Sequence, residues 1–217
     1  MIDHGAILLA CRAHLDSLEV CTTGSTSISA TATGYARAAG SFVTDGFRAG
    51  MELTGTGFSG SGNGEAATIT SVSALAITCP GTSVEAAGTR TLSVVVPANI
   101  SSENVEFTPE QNVPYIREEY LPGPMFQATV GTDGELDARP MYVLKVHVPQ
   151  KTGDAGAWGY VGAIMEHFKP GTALSVTGHD LVQVRRDVAP FAGQLLMFEA
   201  FAVVTVTVPL LVRVQNV

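Results

Sequence analysis

Lysine does not occur before Lys145, and charged residues of both signs make up only 15% of this 217-residue chain. Soluble domains usually carry about 25% charged residues, so we expect neighbouring molecules to cover part of this surface. The net charge of −8 argues against a protein that grips nucleic acid by its phosphates, because that mode needs a basic stripe. It still allows a pore lining past which DNA slides.

Cysteine is also scarce. Cys11, Cys21 and Cys79 are odd in number and form no CxxC pair, so neither a disulfide framework nor a zinc ribbon is indicated and reduced thiols are expected. The five histidines form no HxH or HExxH pair, so no metal site is predicted. Because no nucleophile, base and orienting group come together in the sequence, we predict no catalytic residues and no cofactor, and therefore not an enzyme.

Two motifs that could carry chemistry lack the required context. The GxGxxG string at 55–60 continues as SGNGEAATIT, which supplies no helix to face a pyrophosphate, so we interpret it as a hairpin loop. Glu118 and Glu119 are neighbours on a predicted strand and should point to opposite faces. Asp133, Glu135 and Asp137 are assigned to a solvated turn.

No exported or membrane-spanning segment is predicted. The N-terminal sequence MIDHGAILLACRAHL lacks the basic region and cleavage pattern of a secretory signal. The stretch 195–212 is apolar, but Glu199, Pro209 and the TVTV alternation make a transmembrane helix a poor interpretation of it.

The first predicted element is a helix over residues 3–19. Its apolar stripe is formed by Leu8, Cys11, Leu15 and Leu18, and Asp3 is a plausible N-cap. The stripe predicts a helix that lies on a sheet.

Residues 22–96 are predicted to be an inserted β-domain. Composition changes abruptly to Thr, Ser, Gly and Ala, and short β-prone runs are separated by DG, GSGNG and PG turns. This pattern favours a small antiparallel barrel or sandwich. Few long aliphatic residues are available for its core, so we expect it to be less stable than the rest; they are Met51, Leu53, Ile69, Ile77, Leu92, Val94 and Val96.

Residues 1–21 and 97–217 are predicted to form the main domain. It should contain the strand VPYIREEYL and the strand MYVLKVHVP, which buries Tyr142, Leu144, Val146 and Val148. A helix over 155–168 is bounded by Asp154 and by KPG, with an apolar stripe of Trp158, Val161, Met165 and Phe168. The fold class is therefore α+β: an antiparallel or mixed sheet packed by two helices, plus the insertion.

Glycine recurs at positions 156, 159 and 162 of that helix. Each costs roughly 1 kcal/mol of helix propensity but lets another backbone approach closely. Tight packing of the helix on the sheet is favoured over a contact between subunits.

The final predicted strand keeps one parity from Leu196 to Val214, which is too long for the sheet of a domain this size. We expect it to bend or overhang, with a break or an edge at Pro209 and possible reach to a neighbouring subunit.

A subunit interface is predicted on this sheet. Arg185 and Arg186 stand out in a chain poor in cations, and with Arg117 and Lys145 they could form a basic strip. Either the strip pairs with acidic residues of the next subunit or it is a solvated face, and we favour the interface. The predicted interface residues are Arg117, Glu118, Lys145, His147, Arg185, Arg186, Phe198 and Val206.

Four segments together resemble the tail terminator proteins of long-tailed bacteriophages. They are ENVEFTPEQNVPYIREEY, VLKVHVPQKTG, AGAWGYVGAIMEHF and VTVTVP. The resemblance covers roughly residues 1–20 and 97–217, and the β-domain occupies what is normally a short connection in that family. Separately, DGFRAGMELTGTGF with ATITSVSALAIT resembles small β-modules of phage tail and neck proteins.

The resemblance implies a structural protein without catalytic residues, located in the virion at the tail–neck junction after assembly in the host cytoplasm. Six copies would form a ring that caps the head-proximal end of the tail tube, stops its polymerisation and docks to the head–tail connector of the neck. Its partners would be other copies and the tail tube protein, with genomic DNA passing through the lumen without sequence-specific binding. The alternatives are a stopper or adaptor of the neck, or a ligand-binding β-domain carried on the main domain.

Overall fold

The computed structural model describes residues 2–95, 100–101, 106–129, 134–150, 154–198 and 200–215. The described chain is mostly β-structure, with two helices and two sheets. This confirms the α+β class.

The first helix, α1 (His4–Asp16), begins where the sequence predicts. The Asp3 carboxylate accepts a hydrogen bond from the Ala6 backbone N–H at 3.0 Å, which confirms the N-cap. Ile7, Cys11 and Leu15 are buried, whereas Leu8 is only half-buried, so the apolar stripe is rotated slightly from the predicted one.

Residues 19–95 supply an eight-stranded sheet organised by its longest strand, β8. β8 pairs with β1, β2 and β4, and all pairings in this sheet are antiparallel. The sheet is open, so the predicted small barrel is not confirmed. Its strands are β1 (Glu19–Thr22), β2 (Thr26–Thr31), β3 (Gly34–Arg37), β4 (Glu52–Thr56), β5 (Ala67–Thr68), β6 (Ser71–Val72), β7 (Ala76–Thr78) and β8 (Glu85–Val95).

The second sheet has nine strands and is mixed, because β9 runs parallel to β10 while the other pairings are antiparallel. Its strands are β9 (Ile100–Ser101), β10 (Tyr115–Leu121), β11 (Met125–Gln127), β12 (Glu135–Ala138), β13 (Met141–Pro149), β14 (Leu181–Val184), β15 (Phe191–Ala192), β16 (Leu196–Met197) and β17 (Phe201–Gln215).

β17 lies in the middle of this sheet and contacts neighbours on both sides. β13 and then β12 pair along one side, and β16, β15 and β14 pair in turn along the other. The predicted long strand does bend, but it bends before Phe201, where Leu196 folds back to pair with Val203.

The predicted break at Pro209 is wrong. β17 is continuous there, because the backbone of Pro209 faces the side of β14 and β15 and lies in the gap between these two strands, where no ladder hydrogen bond from its missing N–H is needed. Its carbonyl accepts from the Arg185 N–H at 2.9 Å, and the next residue, Leu210, donates to the Pro140 carbonyl at 2.9 Å.

The second helix, α2 (Ala155–His167), packs on β13 and β17. Its buried residues include Tyr160, Val161 and Ile164, whereas Trp158 is 42% exposed, so the predicted stripe is correct at Val161 and wrong at Trp158. Asp154 makes no side-chain hydrogen bond to the helix.

The glycines of α2 face the inserted region. A methyl group on Gly156 would lie 2.4 Å from the Ala49 carbonyl oxygen, and one on Gly159 would lie 2.1 Å from Cε of Met51. The Tyr160 hydroxyl accepts from the Glu52 N–H at 2.9 Å. Close packing is therefore real at two of the glycines, but its partner is the 49–52 segment and not the nine-stranded sheet.

The buried side chains of both regions form one continuous apolar cluster. It includes Met51, Leu53, Ile69, Ile77, Leu92 and Val94 from the predicted core of the insertion; Val96 lies outside the described residues. The division into two domains stays a prediction, and α2 is the element on which both regions pack.

Candidate subunit interface

The nine-stranded sheet has one buried face and one face on which neither helix of the described residues packs. The even-numbered residues of β13 and β17 point to the helices and are buried, as predicted for Tyr142, Leu144, Val146 and Val148. The odd-numbered residues of β10, β13 and β17 form the opposite face, which we call the outer face. A contact between subunits on this sheet has to use the outer face or the sheet edges.

Glu118 and Val206 do not belong to that interface, because both lie inside the chain. Val206 is fully buried on the helix side of β17. Glu118 is 1% exposed, forms an ion pair with Arg12 of α1 and accepts a hydrogen bond from the Tyr142 hydroxyl at 2.8 Å. Its neighbour Glu119 points outward, which confirms that the two carboxylates face opposite sides.

The predicted basic strip is largely neutralised within the chain. Lys145 pairs with Glu119 across β13 and β10. Arg185 donates to the Asp187 carboxylate at 3.0 Å, and this pairing raises the pKa of Arg185 and lowers that of Asp187. Lys145 and Arg185 therefore already have acidic partners within the chain and do not depend on a neighbouring copy for a salt bridge.

Arg117 and Arg186 form no ion pair within the described part of the chain. Arg117 lies opposite Lys145 on the outer face, whereas Arg186 packs beside Gly171. The four cations therefore do not form one continuous strip.

His147 lies on the outer face among aromatic side chains. Its ring stacks on Tyr115 at 4.1 Å between centroids and meets Phe201 edge-on. The Nε2 atom is buried and has no hydrogen-bond partner among the described residues. Burial, then the charges of Arg117 and Lys145, lower the pKa of His147 to about 4, so the ring is neutral at physiological pH.

A pocket of about 330 Å³ opens beside His147. Three of the predicted interface residues line it together, so the structure brings Arg117, Lys145 and His147 to one place. The remaining lining residues are Ser101, Phe107, Pro109 and Tyr115.

A second polar cluster lies where β12 meets the far end of β17. Arg213 donates to both oxygens of Asp137, at 2.7 and 3.1 Å, and lies 3.3 Å from Glu135. Glu135 and Asp137 are thus on a strand and not in the predicted turn, while Asp133 lies outside the described residues.

Large apolar side chains are exposed at two opposite edges of this sheet. The first group, which we call the β11 edge, consists of Leu121, Met125, Phe126 and Met141. The second, which we call the β16 edge, consists of Phe191, Leu196, Met197 and Phe198. Phe198 is a predicted interface residue. The other seven were missed, although LPGPMF and FAGQLLMF place several large apolar residues beside Pro or Gly in segments too short to form a core strand.

Sequence reasoning also missed a histidine pair. The rings of His14 and His167 stack at 4.0 Å, and each ring contacts the other residue's carbonyl oxygen, at 3.2 and 2.8 Å. Burial is the main cause that lowers the pKa of His14. The pair joins the last turns of α1 and α2, a contact that sequence separation conceals.

The described residues contain no group of three or more His, Cys, Asp or Glu side chains able to hold a metal ion. Within the same residues, neither helix has the length and apolar character needed to cross a membrane. The GxGxxG string begins at the end of β4 and continues into the predicted hairpin loop between β4 and β5, with Gly57 at φ +86°.

The family model described as "Phage tail terminator protein" matches residues 83–208, more than half of the chain. The chain belongs to the phage tail terminator family. The match begins at residue 83, just before β8 of the eight-stranded sheet, and spans β8, β10, β13, α2 and the first half of β17. This phage tail protein is therefore a structural component of the virion, from a family not known for catalysis.

Other comparisons add little to the assignment of this tail terminator. No curated protein matches significantly. One chain of known structure is 20% identical and aligns over 54% of this chain and 79% of its own, with a TM-score of 0.44.

Proposed function

We propose that this protein caps the head-proximal end of a phage tail tube as a hexameric ring. The ring stops polymerisation of the tube and offers a docking face to the connector of the neck, and genomic DNA passes through its lumen without sequence-specific binding. The observation that carries the proposal is the family match across the nine-stranded sheet and α2.

A ring suits the termination of a polymer. A head-to-tail contact that closes after a fixed rotation uses up every binding site within the assembly. Further subunits then find no free edge to bind. The sheet has two different exposed edges for such a contact, and the outer face between them carries ion pairs satisfied within the chain.

The test is the length of tubes assembled from the phage's tail tube protein with and without this protein. Electron microscopy should show uncontrolled lengths without it and arrested growth with it, with a ring at one end. Native mass spectrometry of the capped tubes, or of the protein released from them, should show six copies. Tubes of unchanged length distribution would contradict the proposal.

The same tube preparations distinguish a terminator from the alternative of a neck stopper or adaptor. A stopper would bind the head connector and leave free tube ends bare, whereas a terminator binds tube ends in the absence of heads. Binding to isolated tubes is therefore the deciding observation.

A further inference from the structure

β11 and β16, which give the β11 edge and the β16 edge their names, are both edge strands. Among the described residues, β11 pairs only with β12 and β16 pairs only with β17. Met125 is 61% exposed and Met197 is 63% exposed. An exposed edge strand with large apolar side chains is a template for pairing with another chain.

The hydrogen-bond pattern shows which backbone groups point away from the sheet. On β11, the carbonyl of Pro124 and the N–H of Ala128 bond to the β12 side, so alternation turns the backbone of Met125 away from the sheet. On the β16 side, the N–H of Phe198 donates to the Phe201 carbonyl at 2.9 Å, so the backbone of Met197 also points outward.

The two edges lie on opposite sides of β17 and near opposite ends of it. β16 pairs beside Val203, whereas β11 is joined through β12 to the segment around Val212 and Val214. One chain therefore cannot bring its own two edges together, but two copies placed side by side can.

From this geometry we infer that the β11 edge of one copy docks against the β16 edge of the next copy. The inference rests on the proposed ring and names the surfaces that close it. A different partner protein would need one such edge, whereas a second copy uses both at once and leaves neither exposed. Because the edges differ, the contact is head-to-tail and generates a ring and not a two-fold dimer.

The exposed area matches what a stable interface needs. At roughly 200 Å² for a fully exposed aromatic side chain and a similar area for Met and Leu, four half-exposed side chains offer on the order of 400 Å² per edge. Contact between two edges would cover about 800 Å² of apolar surface, which at an apolar share of about 60% implies a total near 1,300 Å². Stable interfaces bury about 1,200–2,000 Å².

Charge substitutions at the two edges test the inference. Met125→Asp and Met197→Asp each place a carboxylate on an edge while leaving the fold intact, because both side chains are exposed. We expect each to weaken ring formation on tube ends by roughly a hundredfold. Val84→Asp is the matched control, because Val84 is 78% exposed and lies outside both edges. Wild-type ring formation by both edge variants would overturn the inference.

Cysteine cross-linking tests which edges meet. In a Cys21→Ser background, Met125→Cys and Met197→Cys variants are mixed in equal amounts, bound to tube ends and treated with a short bismaleimide. Cross-linked dimers should form in the mixture and in neither variant alone. Cross-linking of Met125→Cys to itself, or none in the mixture, would overturn the head-to-tail contact.

The two proposals fail in different ways. If edge variants still cap tubes at normal length, the contact is wrong and the terminator function stands. If the mixed cross-link forms but the wild-type protein leaves tube length unchanged, the contact is right and the proposed function is wrong.

Discussion

Each of the two sheets is organised around one long strand, and the two strands are buried differently. On β17 every second residue from Ala202 to Val214 is buried. On β8 only Arg90, Leu92 and Val94 are buried, and one of these is a cation. The nine-stranded sheet therefore rests on apolar packing, whereas the eight-stranded sheet has a thinner apolar core and adds a hydrogen-bonded charge network.

That network is centred on Glu85. Its carboxylate accepts from the Asn63 side chain and the Gly60 N–H at 2.9 Å each and from the Ser59 N–H at 3.0 Å, and these bonds lower its pKa to about 2. Arg90 pairs with Glu85, donates to the Ile28 carbonyl at 2.7 Å and lies over the Phe58 ring. The loop that contains Ser59, Gly60 and Asn63 is thus held in place by specific hydrogen bonds and not by long aliphatic side chains.

The largest effect should come from cavities in either core. Leu144→Ala and Leu92→Ala should each lower the free energy of unfolding by about 2–5 kcal/mol. Because the buried side chains of both regions form one cluster, both variants should shift a single transition. Urea unfolding followed by circular dichroism and by Trp158 fluorescence checks this. An early transition moved only by Leu92→Ala would separate the regions and support the predicted lower stability of the insertion.

The stability lost on removing a networked carboxylate should be larger for the more deeply buried one, Glu118, than for Glu85. Glu118→Ala removes a carboxylate that is fully enclosed between Arg12 and Tyr142 and should cost about 3 kcal/mol. Glu85→Ala should cost less, because water reaches the Glu85 carboxylate. Thermal melts of the two variants under one set of conditions measure the difference. A larger loss for Glu85→Ala would reverse the comparison.

The junction between the regions can be tested at the glycines of α2. Gly156→Ala puts a methyl group against the Ala49 carbonyl and should destabilise the protein by about 1–3 kcal/mol. Gly162→Ala is the control, because among the described residues no neighbouring element comes within 4 Å of the added methyl group. It should stabilise the helix by up to about 1 kcal/mol. If chemical denaturation showed equal changes in the free energy of unfolding for both variants, α2 would not pack tightly against the 49–52 segment.

Near neutral pH the smallest effect should come from His147, because its contribution to stability changes only as pH falls below about 6.5. Its pKa is about 4 in the folded chain and near 6.5 when unfolded, so the unfolded state binds a proton first as pH falls. Stability should therefore be full above pH 6.5 and decline between pH 6.5 and 4. His147→Phe keeps an aromatic ring and should flatten this part of the stability profile. An unchanged slope would assign the decline to other groups, such as His14.

The sequence predicts the parts of the fold that depend on local periodicity. The α1 cap at Asp3, the buried face of β13, the bounds of α2 and the hairpin loop at 55–60 all follow from short-range patterns. The predicted bend in the final apolar run is also correct in kind. Its position is not, because Leu196 and Val203 pair through a turn that apolar parity alone cannot reveal.

The surroundings of the candidate interface residues were predicted less well, because they depend on contacts between distant residues. Lys145 and Glu119 are far apart in sequence, so their ion pair could not be read from the isolated cation. The burial of Glu118 could not be predicted for the same reason, since it depends on Arg12 of α1. Exposure at Met125 and Phe198 is likewise set by where the sheet ends, which periodicity does not specify.

The position of β17 imposes an order on how the protein is made. All five strands that pair with it precede it in the chain, so none of these pairings can form until β17 has left the ribosome. The β10–β13 pair and the whole eight-stranded sheet are synthesised earlier, so their strands can pair before β17 appears. Both edges that we assign to ring closure lie on strands joined through β17, so a nascent chain remains unable to join a ring until its main sheet is complete.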